Sequence, residues 1–542
     1  MTDQPKTALS MWERSNIVRS FRWLFSWRGI RRVVIVLAWT VTIIGLWYGE
    51  ENWRGRRAWN QHRQATEARG ESLDLSAYIP KPVPDDQNFA QTPFLKATFL
   101  QPNIPVLTND LYARAADHVT KTKSVEADKG RRHFTDLAAW QMASDALQSG
   151  ALKRDQEFKT DKTGLAARAA AAPVVLDGLK ADEAIFAELR AASSREFSRY
   201  PLKYDLENPW RILLPHLARI NLVCQRLNFE ACADLASGQP GPALADVKLM
   251  LSLADSIKSE PFIISYLVRV ACEQIAVQSV WEGLAEHAWT DPQLQEIQAR
   301  FSSYDFLADA QQPLLGERVC GILTVDLAKK TSFLAIGDYQ GRDTGWFEKM
   351  LFNRICPLIP SGWYDQERLN YCTLYDAQWK DVVNLAAKTV SPSTAEFNAH
   401  DVNRQIQGVS SGKPESGSGF KALLRHRLVV TMMEPSVHRF AAKIAIAQTG
   451  ADQAALACAL ERYRLANGQF PETLEALAPR FISHAPNDVI TGQPYKYRRD
   501  AGGQFILYSV GWNEKDDGGT PGKTLFDLAQ GDWVWSYPAM EP

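Results

Sequence analysis

The sequence predicts a mainly α-helical protein with three parts: an N-terminal transmembrane helix, an antiparallel helical domain, and a small α+β head at the C-terminus. Three observations predict it. An uncharged apolar run lies near the N-terminus. Apolar residues recur at helical spacing through the middle of the chain. Two alternating segments flank a turn in the last 50 residues or so.

The apolar run, Val33–Gly49, carries no charge over 17 residues and as a helix spans roughly 25 Å, the lower limit for crossing a bilayer. Residues 1–32 hold seven basic residues, Lys6, Arg14, Arg19, Arg22, Arg28, Arg31 and Arg32, against Asp3 and Glu13, a net of +5. By the positive-inside rule this tail is cytoplasmic and the bulk lies on the periplasmic, extracytoplasmic side of the inner (plasma) membrane, single-pass. Arg54, Arg56, Arg57 and Arg63 on the far side weaken that asymmetry. Trp12, Trp23, Trp27, Trp39, Trp47, Trp53 and Trp59 cluster around the run, as interfacial tryptophans do. The run ends in Leu46-Trp47-Tyr48, a poor signal-peptidase site, so an uncleaved signal anchor is expected. Ser10–Arg28 alternates aromatic and basic residues, as an interfacial amphipathic helix would.

Prolines at 80, 82, 84, 93, 102 and 105 mark residues 50–105 as a Pro-rich spacer. Residues 106–390 form the helical domain, with amphipathic periodicity in Leu217–Leu235, Leu244–Ile257 and Ile263–Leu284. Gly238 is placed as a helix C-cap glycine, Pro240 as the first residue of the next helix, and Asp291-Pro292 as an N-cap followed by proline. Arg226–Ile257 reads as one tetratricopeptide-like helix pair without a sustained repeat. Residues 391–419 are rich in Ser and Gly and read as a flexible linker. Residues 420–542 hold a further helix and the α+β module.

In that module a helix ends at Asn467-Gly468, and Pro471 opens a short second helix to about Ala478. Tyr495–Arg499 and Gln504–Val510 form a hairpin across Asp500–Gly503. Tyr463, Arg464, Gly468, Phe470, Pro471, Leu474, Leu477, Asp488, Gly492, Pro494, Tyr495, Tyr497, Tyr508, Gly511, Asp516, Asp517 and Gly518 follow in an order that resembles the head of type II secretion pseudopilins. The whole layout also looks like large bacterial single-pass membrane proteins ending in this module. The resemblance covers about a seventh of the chain. The prepilin-peptidase pattern is absent, and the helix before the head carries Glu434, Pro435, His438, Arg439 and Lys443. The module therefore stands as a folding unit rather than a pseudopilus subunit. The resemblance implies calcium at Asp516 and Asp517, with Asn513 as a third ligand; a solvated turn is the plainer reading of the same residues.

Composition narrows the functional classes. With 45% hydrophobic and 23% charged residues the chain can bury a core. A net charge of -1 gives no pull toward nucleic acid. The seven cysteines form no CxxC pair and read as small core hydrophobes; Cys356 and Cys372 are the candidate disulfide in an oxidising compartment. Cys224 and Cys232, eight apart on one helix, are too distant to bridge. Asp517–Thr524 approaches a phosphate-binding loop, but an acid replaces its first glycine. No HExxH or G-x-S-x-G occurs, and no catalytic residue emerges. The sequence thus points to a membrane-anchored envelope protein that scaffolds unknown protein partners. The alternatives are an envelope enzyme without a sequence motif and an accessory component of a secretion or pilus-like system.

Overall fold

The computed structural model describes residues 23–100, 115, 130–151, 153, 156–158, 165–331, 358–407, 425–427, 437–500 and 502–537. Helix α1, Trp27–Ala68, is 42 residues long, about 63 Å at 1.5 Å per residue. Its apolar first half is long and apolar enough to cross a membrane. Val34, Val36, Leu37, Trp39, Val41, Ile43 and Leu46 are all exposed, so nothing among the described residues covers this face.

The second half of α1 corrects the expectation of a spacer beginning at residue 50. Residues Glu50–Ala68 continue the helix and dock on α12, Ser361–Trp379. The two backbones touch at a pair of glycines. A Cβ at Gly55 would stand 2.1 Å from the Gly362 carbonyl oxygen, and one at Gly362 would stand 2.1 Å from that of Glu51. Asn52 Oδ1 caps α12, accepting from the Gly362 amide (2.8 Å) and Ser361 Oγ (3.0 Å). The buried Glu51 carboxylate accepts from Arg54 Nη2 (2.6 Å) and Trp363 Nε1 (3.1 Å). Only after Ala68 does the chain become extended. There Pro80 O accepts from Arg199 Nε (2.8 Å), and Phe89 N donates to Phe197 O (2.8 Å), pinning the segment to the helical body. A short helix α2, Pro93–Leu100, follows; the expected spacer end near Pro105 lies outside the described residues.

The body contains α3 (Leu137–Gln148), α4 (Leu165–Leu179), α5 (Glu183–Ala192), α6 (Pro215–Ala236), α7 (Pro240–Asp255), α8 (Ile263–Ala285), α9 (Asp291–Ser302), the single turn α10 (Phe306–Asp309) and α11 (Gln311–Lys330). The turn between α6 and α7 follows the sequence reading. Gly238 takes φ +71°. Gln239 N donates to Asp234 O (2.8 Å) and Gly238 N to Leu235 O (2.9 Å), a Schellman ending. Pro240 opens α7. At α9 the N-cap is Thr290, one residue before the expected Asp291. Thr290 N donates to the Gln293 side-chain Oε1 that reaches back to it (3.0 Å), so the local capping box sets the boundary. Helix α8 is also apolar enough to span a membrane but is largely buried as the central core helix, between α6, α7 and the later helix Val437–Asn467.

Two further elements depart from expectation. Val383–Asn384 (β1) and Thr389–Val390 (β2) pair antiparallel within the supposedly all-helical domain; two-residue strands are too short to show alternation. Pro392–Gln407 forms helix α13 inside the expected linker 391–419. Every glycine of that stretch lies at or after Gly408, so nothing before it breaks a helix, and Ala395 and Val402 are buried. Residues 408–419 lie outside the described residues.

Helix α14, Val437–Asn467, begins just past Pro435 and ends at Gly468 with φ +80°. Beyond it the chain makes a short 3-10 helix at Leu474–Leu477 and a three-stranded antiparallel sheet of β3 (Lys496–Arg499), β4 (Phe505–Ser509) and β5 (Trp533–Trp535), with β4 central. The hairpin was expected and the third strand was not. A single hydrophobic cluster runs from α6, α7 and α8 through α14 to Phe505, Leu507, Trp533 and Trp535. Trp281 Nε1 on α8 donates to Ser536 O (3.1 Å), and Gln298 Nε2 on α9 to Phe481 O (2.7 Å). Helical body and C-terminal module therefore share one core. Cys224, Cys232, Cys272, Cys320, Cys372 and Cys458 are free and buried; Cys356 lies outside the described residues.

Candidate functional site: the cleft at the seam

Where body and module meet, the shared core does not close. A cleft of about 660 Å³ opens between the end of α9, α10, the β1–β2 turn, α14 and the loop 481–489. One wall is fixed by Val390 N donating to Val489 O (2.8 Å), which ties the β-turn to the module. Tyr304, Leu307, Ala455, Leu456 and Ile482 supply apolar walls.

Two carboxylates line this cleft, Asp305 and, on α14, Asp452. Gln448 Nε2 donates to Asp452 Oδ1 (2.9 Å) and Tyr495 OH to its Oδ2 (3.0 Å). The amide is oriented by its other end, because Gln448 Oε1 accepts from Phe306 N (2.9 Å), leaving the NH₂ to face Asp452. Both donors are neutral. Burial pushes the Asp452 carboxyl up to about 7; the Gln448 and Tyr495 hydrogen bonds oppose the shift, Asp488 adds to it, and the charge of Lys388 opposes it. The Lys388 ammonium sits 3.5 Å from Asp305 at the mouth. His484, exposed on the rim, contacts Ser483 Oγ through Nδ1 (3.0 Å).

A perturbed carboxyl in a cleft is the feature that marks candidate functional sites. The sequence reading named Tyr495 and Asp488 only as matches to the pseudopilin pattern and gave none of these residues a role in a site. The signal available was an isolated acid, Asp452, amid the small and apolar residues Gly450 to Leu460.

A larger cleft, about 800 Å³, lies beside the end of α1. Three of its charges are closed on one another: Arg318 reaches Glu71 at 2.6 Å and Asp376 at 3.1 Å.

The residues expected to hold calcium occupy a turn beside β4. Asp516 Oδ1 accepts from Gly518 N (3.0 Å) and Tyr508 OH (3.1 Å), and Lys496 Nζ lies 3.4 Å from its Oδ2. Asn513 Nδ2 donates to Asp517 Oδ2 (3.2 Å). Their oxygens serve the turn itself, and among the described residues no group of three or more His, Cys, Asp or Glu is placed to hold a metal ion. Asp488, matched to the pseudopilin pattern, is buried and clamps its own loop to β4, accepting from Ile490 N (3.0 Å) and Ser509 Oγ (2.8 Å). The loop 517–524 is followed by no helix, and Gly519 N is spent on Asp532 Oδ2 (2.6 Å), unlike a phosphate cradle. Comparison with protein-family models, curated proteins and solved structures gives no significant match to this chain.

Proposed function

We propose that the protein is a single-pass, membrane-anchored envelope protein that works as a protein-binding scaffold, with its N-terminus in the cytoplasm and its body outside. The observation that carries this reading is the unbroken run of α1. An exposed apolar half passes without a hinge into a half locked against α12 by the Gly55–Gly362 contact. A bilayer is the solvent that suits the first half. A rigid strut then holds the body at a fixed height above it. The basic residues before Val33 favour the cytoplasmic side for the tail, and the likeness of the C-terminal module to pseudopilin heads agrees with an envelope location. Reporter fusions after residue 30, after residue 70 and at the C-terminus test it. Extracytoplasmic activity is expected from the last two only; a C-terminal fusion active in the cytoplasm overturns the reading.

The second reading is an envelope enzyme. It is favoured by Asp452, titrating near neutrality, in a cleft that His484 also lines, a pairing suited to general acid–base work. Turnover by membrane vesicles that is lost in Asp452→Asn would select it.

A further inference from the structure

We infer that the seam cleft takes a lysine or arginine side chain of a polypeptide partner, its aliphatic stem along the apolar walls and its cationic end on Asp452. This rests on the scaffold reading and names the chemistry of its contact. Removing a carboxylate from water is unfavourable unless a charge or a full set of donors replaces the lost hydration. Two buried acids of the body have such a partner: Asp182 is bonded by Arg226, and Asp246 by Arg190 Nη2 (2.5 Å), whereas Glu273 takes only the neutral Gln274 Nε2 (2.9 Å). Asp452 has only an amide and a phenol, one on each oxygen, so each oxygen keeps a free lone pair. The nearby cation, Lys388, is engaged by Asp305 at the mouth. Tyr304, Leu307, Ala455 and Leu456 present apolar surface on the way in. A basic side chain matches both features, because its stem packs on apolar walls while its head seeks the charge.

Full-length protein in nanodiscs is dialysed against degenerate pentapeptide pools identical except at the centre: lysine, Nε-acetyl-lysine or norleucine. The lysine pool is expected to bind roughly 10-fold tighter than either neutral pool, the factor that about 1.4 kcal/mol supplies, and Asp452→Asn is expected to erase the difference. The acetyl-lysine pool removes the charge without touching the protein, so the test stands even where the variant folds poorly. Equal binding of the three pools overturns the inference, as does n-butylamine binding as tightly as the lysine pool, which would assign the cleft to free amines. Cross-linking of envelope proteins to wild type and Asp452→Asn separates the two readings. An unchanged set of partners in the variant sinks the cleft inference and keeps the scaffold, whereas a wild type that cross-links to nothing sinks the scaffold itself.

Discussion

Glu282, in the helical body, and Asp452, at the seam, are carboxylates on long helices, and burial pushes both toward protonation. They end on opposite sides of the usual range. Glu282 is fully buried on α8 and accepts from Arg168 Nη2 (2.6 Å), Thr135 Oγ1 (2.6 Å), Thr135 N (2.8 Å) and Gln278 Nε2 (2.9 Å). Arg168 and this ring of donors overcome the desolvation and hold the carboxyl below its ordinary value. Asp452 has neutral donors only and rises to about 7. The deciding difference is one guanidinium. At Glu282 the chain closes the charge with its own cation; at the seam it leaves the charge of Asp452 open to a cleft.

The largest expected effect comes from breaking the closed case. Arg168→Met leaves Glu282 buried without its cation and should cost about 3–5 kcal/mol, seen as a large drop in thermal midpoint. Because the folded pKa of Glu282 lies below its unfolded value, its contribution is present above the unfolded value near 4.3 and is lost as pH falls through the folded one. The double variant Arg168→Met/Glu282→Gln should recover much of the loss; if it is no better than the single variant, the arginine acts through packing on Phe134, whose ring centroid lies 4.5 Å away, rather than through charge.

Glu51 is a second closed case, and its closure depends on backbone contact. Gly55→Leu places a side chain where the Gly362 carbonyl already sits, and the crossing of α1 on α12 must open at a cost of about 2–3 kcal/mol. Limited proteolysis between Ala68 and Leu75 should accelerate, with Gly362→Leu behaving alike. Protection unchanged in both would mean that α1 is held from its ends rather than at the glycines.

Asp452→Asn tests the open case, with a smaller effect of different form. The folded pKa is raised, so the protonated carboxyl stabilises the fold below the unfolded value near 3.9, and that contribution is lost as pH rises to about 7. Denaturant titrations at pH 5 and pH 8 should show wild type losing about 1 kcal/mol more than the variant across this window, less than the full linkage because the group is partly solvated. Tyr495, Asp488 and Lys388 face Asp452, and Asp305 and His484 line the same cleft. All remain in the variant, so the difference belongs to Asp452. Equal pH dependence would mean that a cation or water network already compensates it.

The contrast also explains what the sequence could tell. Local chemistry was legible: Gly238 and Pro240 end and start helices through bonds within a few residues, and Asn467-Gly468 stops α14 the same way. The apolar run Val33–Gly49 was legible because its length alone sets the prediction. The continuation of α1 past Glu50 was not, since it rests on Gly362, more than 300 residues away. Helix α13 was masked by averaging composition over a stretch whose glycines all lie after it. Asp452 looked like any acid on a helix; its meaning comes from Tyr495 and the walls of the seam, which only tertiary packing assembles.

Tyr495→Phe should have the smallest effect and gives the sharpest reading of the seam. It removes one of the two donors that hold the Asp452 carboxyl down, for about 1 kcal/mol, and leaves the aromatic ring in the core. The midpoint for carbodiimide labelling of Asp452, read against pH by mass spectrometry, should move up from about 7, since only the protonated acid reacts. Tyr495 belongs to the C-terminal module and Asp452 to the helix that the body packs against. A raised midpoint therefore means that docking of the module sets the charge in the cleft. An unmoved midpoint means that Gln448 alone sets it, and the cleft would then belong chemically to the helical body rather than to the seam.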